Sequence, residues 1–177
     1  MFAFLKPSLR VDHFRAVLAT RSGRWYSACL RITRDAELAE DAVQDALLKA
    51  WTRRDEFRGE AELDTWIHRI ALNAAIDLMR RHMPTAPEEF DPDLHTAPAA
   101  ASPENRYANR ALGRDMADAI ESLTTMERQC FLLKHVEGWR LEEIAIRLET
   151  NVNNIKQALF RAVRKLREDL NDWRGDE

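Results

Sequence analysis

The chain has 177 residues, of which 45% are hydrophobic and 32% are charged, with a formal net charge of −3. This length and composition suit one or two globular domains with much solvated helical surface, and the near-neutral charge excludes binding to nucleic acid through overall charge alone. Only five glycines occur, with no Asn-Gly or Asp-Gly pair, which argues against an all-β fold.

The cysteines and the apolar runs limit the classes to which the protein can belong. Cys29 and Cys130 lie far apart without CxxC spacing, so we expect two buried free thiols rather than a disulfide framework or a zinc site. The N-terminus lacks a long apolar segment with a small-residue cleavage site, and no run approaches the roughly 18 apolar residues of a membrane span. We therefore expect a soluble, cytoplasmic protein without membrane insertion.

Three segments before residue 83 have the apolar spacing of amphipathic helices, at roughly residues 10–33, 36–54 and 63–81. The inward face expected for the second segment comprises Ala39, Val43, Ala46, Leu47, Ala50 and Trp51. The inward face expected for the third comprises Leu63, Trp66, Ile67, Ile70, Ala71, Ala74 and Leu78.

The opposite face of the second segment mixes acidic and apolar character. It carries Asp41, Gln44, Asp45 and Leu48. A leucine among carboxylates suggests contact with a basic protein partner, although a surface leucine without a role is equally common. Thr52, one turn further on, could carry a regulatory phosphate; an unmodified threonine at a helix end is the plainer interpretation.

The third segment gathers basic and amide side chains into one sector. Arg69, Asn73 and Arg80 share this sector, with Arg81 close by. Basic residues beside aromatic ones can bind single-stranded DNA. Because Trp66 shares a face with the apolar side chains, we assign it to the core rather than to DNA contact.

Residues 83–104 predict a flexible linker. They hold five of the six prolines, five acidic residues and no lysine or arginine. Proline removes backbone donors and biases the preceding residue away from helix, so this segment cannot order itself by burial. An ordered strap over one domain is the alternative.

After the linker, helices are expected near 105–122, 125–136, 141–148 and 152–170. Thr124 and Glu127 have capping-box spacing, and Gly138 stands where a helix must stop. The last two helices, separated by three residues, predict a helix-turn-helix whose second helix fits a DNA major groove.

The outward side of this second helix is rich in amides and bases. At 100° per residue, Asn153, Gln157, Arg161 and Arg164 lie together, with Asn154 and Lys165 at the margin. Amides can bind adenine bidentately, and arginine reads guanine or grips phosphate. Asn151 is placed to cap the helix. The alternative is an ordinary solvated helix face.

Three stretches resemble one known family. They are "DAELAEDAVQDALLKAW" (35–51), "FRGEAELDTWIHRIALNAAIDLMRRH" (57–82) and "LTTMERQCFLLKHVEGWRLEEIAIRL" (123–148), the last followed by "NVNNIKQALFRAVRKLRE". Their order and spacing are similar to those of the extracytoplasmic-function (ECF) sigma factors, the minimal group of the bacterial sigma-70 family.

The resemblance implies an all-α, non-enzymatic initiation factor without cofactor, catalytic residue or metal. Residues 1–82 would bind core polymerase and the −10 element, 83–104 would be an acidic tether, and 105–177 would read the −35 element through the helix-turn-helix. The implied partners are core RNA polymerase, through its β′ clamp helices and β subunit, and promoter DNA. An anti-sigma factor or a regulatory kinase acting on Thr52 would be further partners.

The family's functional positions can be carried over to this sequence. Asp41, Gln44, Asp45 and Leu48 would meet the β′ clamp helices. Arg58, Arg69, Asn73, Arg80 and Arg81 would meet the −10 strand, with the connection 58–63 holding a flipped-out base. Asn153, Asn154, Lys156, Gln157, Arg161 and Arg164 would face the −35 element.

Four departures from the family pattern stand out. Glu149 replaces the usual glycine of the turn, and Arg140 replaces a serine at a helix start. Gln157 and Ala158 stand where Ser-Arg is common, and Val163 stands where arginine is common. The last three residues bear on which −35 sequence is read.

Three other classes of function compete with this one. A stand-alone helix-turn-helix regulator would need enough charge to hold DNA alone, which a net −3 chain lacks. An enzyme is disfavoured because the five histidines form no metal-ligand spacing and no phosphate loop or nucleophile elbow is present. A helical adaptor would leave the amide-and-arginine face without a role.

Overall fold

The computed structural model describes residues 11–82 and 119–174. Within these ranges every regular element is a helix, and the chain divides into two compact units, Met1–Pro84 and Thr85–Glu177. The expected all-α fold with two helical domains is confirmed. The proline-rich segment 83–104 and most of the helix expected near 105–122 lie outside the described residues.

The first unit is built from α1 (Val11–Thr33), α2 (Ala36–Thr52) and α3 (Leu63–His82), each of which contacts the other two. A short 3₁₀ turn at Arg54–Glu56 follows α2. The largest fully buried side chains of this unit are those of Trp25, Leu30, Ile32, Leu63, Ile67 and Leu72.

Four alanines form the buried line of α2. Ala39, Ala42, Ala46 and Ala50 are completely buried and follow the spacing of one helical face. Alanine side chains let the neighbouring helices approach closely, which leaves no room for larger side chains on this line. The bulkier Val43 and Leu47 therefore lie beside it and are half-buried. Trp51 is 39% exposed. Compared with this buried line, the inward face expected from the sequence was displaced around the helix toward Val43, Leu47 and Trp51, and it omitted Ala42.

Asp64 ties the first turn of α3 to α1. Its carboxylate accepts a hydrogen bond at 2.8 Å from Nε1 of the fully buried Trp25 and pairs with Arg24. A buried indole N–H needs such a partner, since no water can replace it. The hydrogen bond fixes the start of the helix that carries the basic sector.

The second unit contains α4 (Thr125–Phe131), which continues as a π-helical turn over Leu132–Val136, then α5 (Leu141–Arg147) and α6 (Val152–Arg174). Residues 119–121 are also helical. The core side chains of α6 are Ile155, Ala158, Ala162 and Leu166. Helix α6 packs against both α4 and α5.

The helix start expected at Thr124 and the stop expected at Gly138 are both confirmed. The Glu127 carboxylate accepts from the Thr124 N–H at 3.1 Å, and the Thr124 hydroxyl accepts from the Glu127 N–H at 3.3 Å, which completes the capping box. Gly138 has a φ of +71°, as its place after the π turn requires. Arg140 gives only half a box: Glu143 accepts its N–H at 3.0 Å, but a guanidinium cannot accept in return.

The turn between α5 and α6 is a Schellman motif with a glutamate in the position that glycine favours. The Thr150 N–H donates to the Ala145 carbonyl at 2.9 Å, and the Glu149 N–H donates to the Ile146 carbonyl at 3.3 Å. Glu149 has a φ of 52°, which costs a side-chain-bearing residue about 1 kcal/mol. Asn151 then caps α6, its Oδ1 accepting from the Asn154 N–H at 2.9 Å, as the sequence predicts.

No helix among residues 11–82 and 119–174 is long and apolar enough to cross a membrane.

Candidate functional site

The outward stripe of α2 carries the four residues expected at a protein interface. Asp41, Gln44 and Leu48 are exposed, and Asp45 is half-buried with its carboxylate 3.9 Å from Lys49 Nζ. Leu48 is 67% exposed. We call these four residues, Asp41, Gln44, Asp45 and Leu48, the acidic stripe. They lie on the side of α2 away from its buried alanines, so the stripe is presented outward.

Side chains beyond the acidic stripe order the end of α2. The exposed Thr52 hydroxyl donates to the Leu48 carbonyl at 2.5 Å. Arg53 pairs with Glu56 at 2.7 Å, and Arg54 stacks 4.7 Å from the Trp51 ring. Trp51 in turn meets Phe14 of α1 edge to face, with the ring centroids 5.4 Å apart. Thr52 is thus accessible, and both following arginines already have partners.

The basic sector of α3 comprises Arg69, Asn73, Arg80 and Arg81. The three arginines are exposed and Asn73 is half-buried. Arg80 pairs with Asp77 at 3.2 Å, one turn back. The arrangement gives positive side chains along one helix, with an amide between them.

The connection into α3 is held by two aromatic rings. Trp66 lies with its ring centroid 5.3 Å from that of Phe57 and is half-buried. The assignment of Trp66 to the core was only partly right, because the ring is half-buried and its contact is with Phe57 of the connection. Arg58 and Gly59 follow Phe57 and are exposed, and Gly59 has a φ of +71°.

On α6, the structure separates the six expected DNA-reading residues into two groups. Asn153, Lys156, Gln157 and Arg164 are exposed, although Arg164 lies 3.7 Å from Glu168. Asn154 and Arg161 are engaged within the unit: the Asn154 amide donates to the Thr150 hydroxyl at 2.9 Å, and Arg161 turns toward Glu127. Arg161 was expected to lie with the outward residues; its guanidinium turns toward Glu127, because a buried carboxylate must be paired, while its side chain stays 36% exposed.

Glu127 joins α4 to α6. Only 2% of its surface is exposed. Its carboxylate accepts from Lys165 Nζ at 2.8 Å and from Arg161 Nε at 3.2 Å, in addition to the capping hydrogen bond. Burial opposes ionisation, but these hydrogen bonds and the two positive charges outweigh it, so the pKa of Glu127 is lowered.

Phe160 was missed by the sequence reasoning. It is 70% exposed, in the middle of the outward face between Gln157 and Arg164. The helical projection contained the signal, since position 160 falls one turn from Lys156 and from Arg164. An exposed aromatic ring amid amides and bases is an apolar surface suited to a thymine methyl group.

Both cysteines lie in the core of their units. Cys29 and Cys130 are buried thiols outside any disulfide, as expected. Burial raises the pKa of Cys130 to about 12, which leaves no thiolate at neutral pH. In the part of the chain that the structure describes, no three histidine, cysteine or acidic side chains are grouped to hold a metal ion.

Two family models match the chain, sigma-70 region 2 over residues 18–85 and sigma-70 region 4 over residues 113–166. The RNA polymerase sigma-H factor of Pseudomonas aeruginosa is 30% identical over 141 residues, which cover 75% of this chain and 73% of that protein. The ECF sigma-E factor of Escherichia coli K12 is 30% identical over 130 residues, 69% of this chain and 68% of that protein. The chain belongs to the ECF sigma factors of the sigma-70 family.

Other relatives agree with this assignment. The sigma factor CarQ of Myxococcus xanthus is 29% identical over 163 residues, 91% of each chain. The structure of the sigma factor RpoE from Bartonella quintana, solved with the anti-sigma factor NepR, is similar in fold, with a TM-score of 0.55 at 24% identity over 91% of this chain and 98% of that chain.

An ECF sigma factor directs RNA polymerase to promoters and is not an enzyme, so the function expected from the sequence is confirmed. Membership of this family replaces the alternatives of a stand-alone regulator, an enzyme and an adaptor. In this sigma factor, region 2 carries the acidic stripe and the basic sector, and region 4 carries the helix-turn-helix.

Proposed function

We propose that the two units of this sigma factor divide promoter recognition between them. Residues 1–82 bind core polymerase and open the −10 element, residues 105–177 read the −35 element, and residues 83–104 connect the two. One observation carries the proposal: two outward helical faces of opposite character lie on separate units, an acidic and apolar one on α2 and an amide-rich, basic one on α6.

The acidic stripe docks on the β′ clamp helices of the polymerase. An exposed leucine has apolar area to bury, and the neighbouring carboxylates complement a basic partner. Leu48 is 67% exposed on the side of α2 opposite its fully buried alanines, which supports this assignment.

The basic sector of α3 follows the −10 strand. Arg69, Arg80 and Arg81 supply positive charge, and Asn73 supplies an amide for a base edge. Arg58 lies in the connection where a flipped-out base would be held. Flipping a base costs a few kcal/mol, which the grip of the polymerase on both units offsets. The ring contact between Phe57 and Trp66 supports the role of this connection because it fixes one end.

Helix α6 enters the major groove of the −35 element. Its exposed reading side chains are Asn153, Lys156, Gln157, Phe160 and Arg164. The amides and Arg164 contact base edges or phosphates, and Phe160 contacts a thymine methyl group. Asn154 and Arg161 act from the margin of the face, since their side chains are already engaged within the unit.

The segment 83–104 passes through the basic channels of the polymerase, against the β subunit as well as β′. Its five acidic residues and its lack of lysine and arginine support this assignment. A negatively charged strand of this kind has the charge of the nucleic acid that those channels accommodate.

Regulation acts through the same surfaces. The solved RpoE was bound to the anti-sigma factor NepR, and the similar CnrH was bound to the cytosolic domain of CnrY, with a TM-score of 0.52 at 23% identity. An anti-sigma factor that covers the acidic stripe would keep this chain from core polymerase. Phosphorylation of the exposed Thr52 by a kinase is a second control, at the end of the same helix.

Run-off transcription with core polymerase on a promoter library, randomised at both elements, tests the division of labour. Asn73→Ala is expected to change base preferences at the −10 positions alone, and Gln157→Ala at the −35 positions alone. Each variant serves as the control for the other. If either variant changed preferences at the distant element, or neither changed any, the assignment of the two units would be wrong.

A further inference from the structure

Two of the positive charges on α6, those of Arg161 and Lys165, are paired with a buried carboxylate, and their side chains are 36% and 28% exposed. Between Val152 and Arg167 the helix has five basic residues and no acidic one. Arg161 and Lys165, one helical turn apart, both donate to Glu127. The exposed basic residues that remain are Lys156, Arg164 and Arg167.

This pairing is hard for DNA to break. Glu127 is 2% exposed, so removing its two cations would leave a buried negative charge with only the Thr124 N–H as a partner. Losing the partners of a buried charge is strongly unfavourable. A phosphate that competed for Arg161 or Lys165 would have to make up this loss.

The pairing also sets what Arg161 can offer. Its Nε donates to Glu127 Oε1 at 3.2 Å, which leaves the two terminal nitrogens for an outside partner in one fixed orientation. The Lys165 ammonium donates to Glu127 Oε2 at 2.8 Å. Without Glu127, both long side chains would be free to reach any nearby phosphate.

Free cations near a groove strengthen binding without reading sequence. Each phosphate that a protein neutralises adds about 0.9 to the slope of log affinity against log salt, whatever the bases are. Pairing two of the five cations with Glu127 therefore lowers sequence-independent attraction to DNA relative to base reading.

We propose that Glu127 is a positioning residue for −35 recognition: it holds Arg161 and Lys165 against α4, limits phosphate contacts of α6 and leaves discrimination to the exposed face. The inference rests on the proposed role of α6. Its competitor is a purely structural role, in which Glu127 staples α4 to α6 and has no effect on how DNA is bound.

Glu127→Gln separates the two roles. Glutamine keeps the size and the capping hydrogen bond, since it suits the same position of a capping box, but it removes the charge that holds the two cations. Glu143→Gln is the matched control, because Glu143 occupies the equivalent position at the start of α5 and the change in net charge is the same.

Because the chain alone lacks the charge to hold DNA, the measurement is binding of the holoenzyme to a short random-sequence duplex, monitored by fluorescence anisotropy over a range of salt concentrations. Release of Arg161 and Lys165 in Glu127→Gln is expected to steepen the salt slope by about 1 to 2 relative to Glu143→Gln. In the holoenzyme, the same variant is expected to lose base preference at −35 while keeping it at −10. A variant that merely destabilised region 4 would lose phosphate contacts, so its slope would become shallower.

Two lysine variants test the idea without touching Glu127. Lys156→Met is expected to make the slope shallower by about 0.9, whereas Lys165→Met is expected to leave it unchanged. If Lys165→Met matched Lys156→Met, or if Glu127→Gln gave an unchanged or shallower slope, Glu127 would not have the proposed role. If Lys156→Met had no effect, the reading face itself would be misassigned and the inference would fall with it.

Discussion

The acidic stripe of α2 and the reading face of α6 are both outward helical faces, yet the sequence described one much better than the other. On α2 all four expected residues lie on the outer side, above four small buried alanines. On α6 two of six expected residues are engaged within the unit, and an exposed phenylalanine was missed. A helical projection predicts the outward residues well where no buried charge lies beside the helix. It predicts them less well where a buried carboxylate binds side chains at the edge of the outward face.

The largest effect is expected from substitutions on the outer side of α2, which should weaken binding to core polymerase. Leu48→Lys is expected to weaken binding to core polymerase by about 2–4 kcal/mol, because the leucine is the apolar centre of the stripe. Asp45→Lys should act in the same direction by opposing a basic partner. Competition with the wild-type protein for core polymerase measures both, and circular dichroism checks that the fold is kept.

Glu40→Lys is the control for these variants. Glu40 is exposed on α2 about a quarter turn from the centre of the stripe, so Glu40→Lys makes the same charge reversal as Asp45→Lys elsewhere on the helix. If the two stripe variants competed as well as Glu40→Lys does, the stripe would not be the docking face.

The second expected effect concerns the buried carboxylate of region 4. The pKa of Glu127 is lowered from its ordinary value of 4.5, so its contribution to stability is fully present above that pH and is lost as the pH falls through the folded-state pKa. Wild-type protein is expected to exceed Glu127→Gln by about 2 kcal/mol in the free energy of unfolding at neutral pH.

That difference should shrink in acid. Urea unfolding at neutral pH and at a pH below 4.5 measures it, with Glu143→Gln carried alongside. A gap of the same size at both pH values would show that the charge of Glu127 does not stabilise the unit.

The third prediction sharpens the reading face. Phe160→Ala is expected to reduce discrimination at one −35 position by about tenfold, or about 1.4 kcal/mol, with little change in stability because the ring is exposed. Ile146→Ala is the control, since Ile146 on α5 is 79% exposed but lies outside the face. Promoter-library transcription distinguishes them; equal base preferences in the two variants would remove Phe160 from the face.

The fourth prediction concerns the two left-handed turn residues of region 4. Glu149→Gly is expected to raise the free energy of unfolding by about 1 kcal/mol, since glycine adopts the positive φ without strain. Gly138→Ala should lower it by a similar amount for the opposite reason. Thermal unfolding measures both, and a destabilised Glu149→Gly would mean that the glutamate side chain makes a stabilising contact that outweighs the strain.

The smallest expected effect lies at the end of α2. Thr52→Glu, which mimics the charge of a phosphate, is expected to weaken core binding about threefold relative to Thr52→Ala. The effect is small because Arg53 and Arg54 are already paired with Glu56 and Trp51. Equal affinities of the two variants for core polymerase would dispose of control through this residue.

Local patterns along the chain were enough to predict the helices, most of their ends and the family. The Thr124 capping box, the Asn151 cap and the stop at Gly138 depend on residues close together in the chain, so local patterns predict them. The order of the sigma-70 motifs likewise requires no contact between distant residues.

The side chains at the margins of the helical faces are oriented by contacts between helices, which local patterns do not contain. The rotation of α2 depends on how closely α1 and α3 approach its alanines, and the position of Arg161 depends on Glu127, which lies 34 residues earlier in the chain. A projection assigns each side chain an angle, but long side chains at a margin can turn either way. The neighbouring helix decides, because a buried carboxylate cannot be left without its cations.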